Sequence, residues 1–237
     1  MGGDRLRRFS LGTVINAVAI VIGGALGLLF RKRFPERITQ TALHVMGLFT
    51  LLVGVRMALR GEGLIMVLVS LALGAMLGEW INIEDRLERF GIWLETRLHL
   101  TEQSPAKGFI NASLLFCVGS MAIVGSITEG LSGDRSILVT KAVMDGILSI
   151  AFAAGMGVGV LASSLPILLY QGSLTLLASK LQAFFTPSMI AELTSVGGVI
   201  VMGIGVNILG LQKVRVGNFI PALLVIVLIL YFKALLF

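Results

Sequence analysis

The chain has 237 residues, of which 56% are hydrophobic and 14% charged, with a mean hydropathy of +0.96. A soluble domain carries about 25% charged residues, so a water-soluble globule is excluded, and 29 glycines against 5 prolines argue against a disordered low-complexity chain. A net charge of +6 would suggest nucleic acid in a soluble protein, but here the basic residues cluster at the ends of apolar runs, where anionic headgroups are the better partner.

The first apolar run covers 11–30. A basic segment, Arg5 to Arg8, precedes it, and Arg31, Lys32, Arg33 and Arg37 follow it. No small-residue cleavage site intervenes, so the run is expected to stay as a span and not to be removed as a signal peptide. Further runs cover 40–59 and 63–81, each close to the roughly 20 residues that a bilayer core requires. Residues 82–100 then change character. Ile83, Leu87, Phe90, Leu94 and Leu98 recur at spacings of three and four, with Glu84, Arg86, Glu88, Arg89, Glu95 and Arg97 between them. That pattern predicts an amphipathic helix lying in the interface, with Trp80 and Trp93 at the headgroup level.

Four more stretches complete the chain: 108–128, 137–180, 189–210 and 215–234. The second is too long for one helix. Ser163-Ser164-Leu165-Pro166 is its expected turn, because proline disfavours helix in the residue before it, giving spans over 137–162 and 164–180. The fold class is therefore all-α, a polytopic transmembrane bundle of about eight spans, with seven spans plus a re-entrant segment as the alternative.

Residues 20–59 resemble residues 168–209. Gly24 aligns with Gly172, and Gly47 and Gly54 align with Gly198 and Gly205 across a short insertion. A repeat of spans 1–3 (11–81) and spans 6–8 (164–234) is expected, with the copies inverted because an odd number of crossings separates them. A central polar hairpin, 108–162, lies between them. Inverted repeats with a site near the midplane are a common transporter design. Gly23-x3-Gly27, Gly74-x3-Gly78 and Gly155-x3-Gly159 read as close helix contacts within the chain.

Gly119 to Asp145 is the most polar stretch between apolar runs. Lys141 and Asp145 are spaced i, i+4 and face the same side of the fifth span, and Ser149 extends that stripe. Counted from Ser136, Asp145 lies roughly 13 Å into the helix at 1.5 Å per residue. Charge at that depth is costly and usually marks a pathway or a site. A cation or proton site is expected there, with Lys141 as counter-ion. Glu129 and Asp134, with the turn between them, are expected at its mouth, where two carboxylates and serine hydroxyls suit a hard cation. Asn111 and Gln171 are further candidate site residues; Asn16, Glu192 and Asn207 are the remaining in-span polar groups.

No phosphate-binding lysine loop, His-Glu-x2-His or Gly-x-Ser-x-Gly element is present, so no enzyme and no cofactor are expected. The lone cysteine, Cys117, excludes an intrachain disulfide. The runs LGTVINAVAIVIGGALGLLF, GEWINIEDRLERFG, ASLLFCVGSMAIVGSITEGLSGDRSILVTKAVMDG, LPILLYQGS and ELTSVGGVIVMGIGVNIL resemble the DUF554 family, over nearly the whole chain from Leu11. The resemblance implies a multi-pass protein of the bacterial inner membrane and carries over no catalytic residue. The expected function is a small secondary transporter or permease for an ion or small solute, working as a homodimer in the lipid bilayer. The alternative is a structural or regulatory membrane protein without transport.

Overall fold

The computed structural model describes residues 11–31, 36–89, 105–182 and 185–236. Among them there are helices and connections but no strand, as expected where lipid offers the backbone no hydrogen-bond partner. The helices are α1 (Leu11–Arg31), α2 (Glu36–Ala58), α3 (Leu64–Ile81), α4 (Pro105–Cys117), α5 (Ser120–Ser132), α6 (Ser136–Met156), α7 (Gly159–Ala162), α8 (Ser164–Leu176), α9 (Ala178–Leu181), α10 (Pro187–Ile208) and α11 (Pro221–Leu236), with a 3-10 turn at Val216–Phe219.

Seven segments are long and apolar enough to cross a membrane: α1, α2 from Gln40, α3, α6, α7 with α8, α10, and the 3-10 turn with α11. The α4–α5 pair passes the same test only as a unit bent by 59°, which makes the count seven, or eight if the pair is one span. The bend falls inside the expected span 108–128. Gly119 is extended, at φ 174° and ψ 149°, so the helical ladder stops there. Ser120 therefore starts a separate helix from the one that carries Ser113 and Cys117.

The break within 137–180 also differs from expectation. It lies at Gly157, whose φ of 82° and ψ of −162° suit only glycine. Ser163 stays helical, at φ −63° and ψ −17°. Pro166 is the third residue of α8, in the first turn, where a missing N–H costs nothing. Of the interfacial segment 82–100, residues 83–89 are helical after a left-handed turn at Asn82, φ 56°. The rest, Trp93 included, lies outside the described residues. Trp80, 82% exposed at the end of α3, suits a headgroup contact.

The chain forms two compact units, one of Met1–Leu43 with Gly91–Phe185, the other of His44–Phe90 with Thr186–Phe237. In the first, α1 runs alongside α6. Gly23 and Gly27 press directly onto the backbone carbonyls of Gly146 and Ile150, so the small residues let two backbones meet within the chain. Ile20, Leu138, Phe152 and Ala153 fill the core of this unit, whereas Val143 and Ile147 on the other side of α6 are more than half exposed and suit lipid.

In the second unit, α2 and α10 cross at their glycines. Gly47 meets Leu209 and approaches Gly205, while Gly54 meets Met202 and approaches Gly198. The partner numbers fall as the α2 numbers rise, so the two helices are antiparallel. Gly74 and Gly78 of α3 likewise pack on Ala222 and Asn218.

A buried polar cluster in the first unit

Asp145 and Lys141 sit on the inner face of α6 and form an ion pair, 5% and 6% exposed respectively. Helical spacing brings them together, and packing keeps water away. Lys141 Nζ also lies 6.0 Å from the centre of the Phe116 ring on α4, within range of a cation–π contact. Cys117, beside Phe116, lies in the field of both charges.

α1 and α8 add two amides. The Asn16 side chain donates to Gln171 Oε1 at 3.3 Å and lies near the Asp145 carboxylate. Both amides are fully buried. Asn16 Oδ1 and Gln171 Nε2 have no partner. Ser149, one turn beyond Asp145, spends its hydroxyl on the Asp145 backbone carbonyl at 2.7 Å rather than on the charged pair.

Glu129 and Asp134 are not gathered into one mouth loop. Glu129 is fully buried on α5. Its Oε1 accepts the Gly12 N–H at 2.8 Å, and the Thr13 N–H lies close to the same carboxylate. It thereby satisfies a donor of the first turn of α1 that has no partner inside the helix, at the end where the helix dipole favours negative charge. Arg135 Nε approaches the same Oε1 only to 3.9 Å, and Oε2 has no partner. Asp134 is exposed and accepts the Ser136 N–H at 2.9 Å, starting α6. That bond holds its carboxyl below the usual value of 3.8. Asn111 is remote from the ion pair in its bonding: it donates to Met156 Sδ at 3.8 Å, at the opposite end of α6.

In the sequence, Asn16 and Glu192 stand as scattered polar residues inside apolar runs. Asn16 joins the Asp145 cluster. Glu192, in the second unit, is 3% exposed and accepts the Glu62 and Gly63 N–H groups at 2.9 and 2.8 Å, capping the start of α3. Its signal in the sequence was a carboxylate inside an apolar run. The second unit has a further polar knot. Arg215 pairs with Glu79 and Asp85, and Asn218 Oδ1 accepts the Glu84 N–H at 2.8 Å. Glu84 Oε2 accepts the Gly217 N–H at 2.6 Å. Burial holds the Glu84 carboxyl above its usual 4.5, against the lowering effect of that N–H and of Arg215.

No group of three or more His, Cys, Asp or Glu suited to a metal ion occurs among the described residues. What the first unit does offer is a charged pair, two amides and a second carboxylate on α1, α5, α6 and α8, all inside apolar helices.

The sequence family described as "Protein of unknown function (DUF554)" matches residues 11–231. The chain is 33% identical to the "Uncharacterized membrane protein YdfK" of Bacillus subtilis over 90% of its own length and 93% of that protein. It is 32% identical to the "Uncharacterized protein YqgA" of Escherichia coli, again over 90% and 93% of the two chains. No solved structure matches.

Proposed function

The chain belongs to the DUF554 family and is a multi-pass membrane protein, and from that premise we propose that it is a small secondary transporter or permease for an ion or small solute. The observation that carries the proposal is the Lys141–Asp145 pair, buried inside a span beside two amides with unfilled hydrogen-bonding capacity. Each charge at that depth costs about 2.5–3.5 kcal/mol on insertion scales. Helix contacts of the Gly23–Gly146 kind hold α1 to α6 without any charge, so packing alone gives no reason to keep the pair. An exchangeable cation or proton at Asp145, with Lys141 as the resting counter-ion, supplies one.

The repeat read from the sequence belongs to the same proposal. If Gly47 and Gly54 correspond to Gly198 and Gly205, a two-fold axis demands that Gly47 approach Gly205 while Gly54 approaches Gly198. Those are the approaches made by α2 and α10. The corresponding pair α1 and α8 falls in the first unit, and the pairs α2 with α10 and α3 with α11 supply most of the second. That grouping supports two inverted copies, 11–81 and 164–234, around the hairpin 108–162. The reading includes no enzymatic step and has a homodimer as the working assembly.

A structural role for the cluster is the second reading. The bonds of Glu129 and Ser149 to backbone groups favour it. Flux separates the two. Purified protein in proteoliposomes is assayed for proton-coupled or alkali-cation uptake, with Asp145→Asn as the variant. Transport predicts uptake above empty vesicles that disappears in a variant of unchanged melting temperature. Wild type matching empty vesicles for every ion tried would leave the structural reading.

A further inference from the structure

We propose that the contact between α1 and α5 binds a monovalent alkali cation, with Glu129 Oε2, Thr13 Oγ1, Ser126 Oγ and Asn16 Oδ1 as its protein ligands. These oxygens are buried, each residue being at most 1% exposed, and none has a hydrogen-bond partner. Buried polar atoms are almost always satisfied by protein, ordered water or an ion, and four oxygens without a protein partner on two helices in contact suit a bound cation.

The backbone places them together. Glu129 accepts the Gly12 N–H at 2.8 Å, which brings its carboxylate beside Thr13, the next residue of α1. Its free Oε2 lies 3.0 Å from where a Cβ on Gly12 would stand. Ser126 is one turn before Glu129 on the same face of α5, and Asn16 is one turn after Thr13 on α1. The Asn16 NH2 donates to Gln171, and its carbonyl oxygen is left without a partner.

The donor set consists of a carboxylate, two hydroxyls and an amide carbonyl. All are hard oxygen ligands of the kind that bind s-block cations. Charge selects a monovalent one. Asp145 is already neutralised by Lys141. Glu129 is compensated only at 3.9 Å, by an Arg135 that reaches the other oxygen and is 38% exposed. One negative charge is therefore left, and a divalent ion would overshoot it beside that arginine. From Gly12 to Asn16 the axial rise is about 6 Å, so the ion would sit roughly one turn of α1 from the Asp145 pair. The site goes beyond the transport reading because it needs no flux: a resident ion would bind equally in a protein that moves nothing.

The test uses the full chain in lipid nanodiscs. Its melting temperature is followed against NaCl or KCl, with choline chloride keeping ionic strength constant. A bound ligand raises the melting temperature with its concentration, so a saturable rise with Na⁺ or K⁺ over choline is expected. Ser126→Ala and Thr13→Val leave the Glu129 bond to Gly12 in place, and each should raise the midpoint concentration about tenfold. Glu129→Gln should abolish the response. Equal melting in alkali and choline salts would overturn the proposal, as would an unchanged midpoint in both hydroxyl variants or a response to Mg²⁺ or Ca²⁺ alone. Asp145→Asn keeps the two proposals apart: it should retain the alkali response while losing flux.

Discussion

Removing one member of the buried ion pair should cost far more than removing both. Lys141 and Asp145 are 6% and 5% exposed, so Lys141→Met leaves Asp145 charged in apolar surroundings without its ion-pair partner. Breaking such a pair costs about 3–5 kcal/mol, whereas replacing it with apolar residues of similar size is neutral or stabilising by about 1–4 kcal/mol. The double variant Lys141→Met/Asp145→Leu should therefore recover the whole loss of the single variant, a coupling of about 3 kcal/mol or more, at the top of the range for contacting residues. The assay is reversible unfolding in mixed micelles, read by far-UV circular dichroism for wild type, both single variants and the double. A cost below about 1 kcal/mol for Lys141→Met, the size of an exposed pair, would mean that water reaches the charges and that the burial argument is wrong.

Further outcomes test the helix contacts, the caps and two titrating carboxyls. Gly23→Ala puts a methyl group onto the Gly146 carbonyl oxygen and should destabilise by about 1–3 kcal/mol. Gly172→Ala meets nothing within 4 Å and should be stabilising by about 0.5–1 kcal/mol on helix preference alone; both are read by melting in detergent. Glu192→Leu strands the Glu62 and Gly63 N–H groups and should cost about 1–3 kcal/mol. Glu192→Gln, which keeps an acceptor there, should cost less, and equal losses in the two variants would refute the cap. Glu84 has its folded carboxyl raised above 4.5, chiefly by burial. Its contribution to stability is therefore full below 4.5 and lost as pH rises through the folded value, and Glu84→Gln should flatten that fall in melting temperature. Asp134, lowered below 3.8 by the Ser136 N–H, works in the opposite sense. Its contribution is present above 3.8 and lost as pH falls through the folded value, and Asp134→Asn should remove that acid-side loss.

The spans were legible because twenty-residue apolar runs leave few alternatives, and Lys141 with Asp145 was legible because four residues is one turn. The misreadings share a cause. Glu129 stands in a glycine-rich stretch that looks wet, but its partner Gly12 is 117 residues away. Asn16 and Gln171 are 155 residues apart. Glu192 and Gly63 are 129 apart. No spacing rule reaches across such separations, so polar residues that meet only by tertiary packing looked scattered. The turn expected over Ser163 to Pro166 shows the opposite error. A local rule was applied where the first turn of α8 tolerates proline, while Gly157 carried the backbone geometry that ends α6.

The central claim is that the Lys141–Asp145 pair works and does not merely pack. Its most direct test is ion uptake into proteoliposomes by the Lys141→Met/Asp145→Leu double variant, set beside wild type of equal melting temperature. The expected result is a stable protein with uptake no greater than empty vesicles. Full uptake by that stable double variant would contradict the claim.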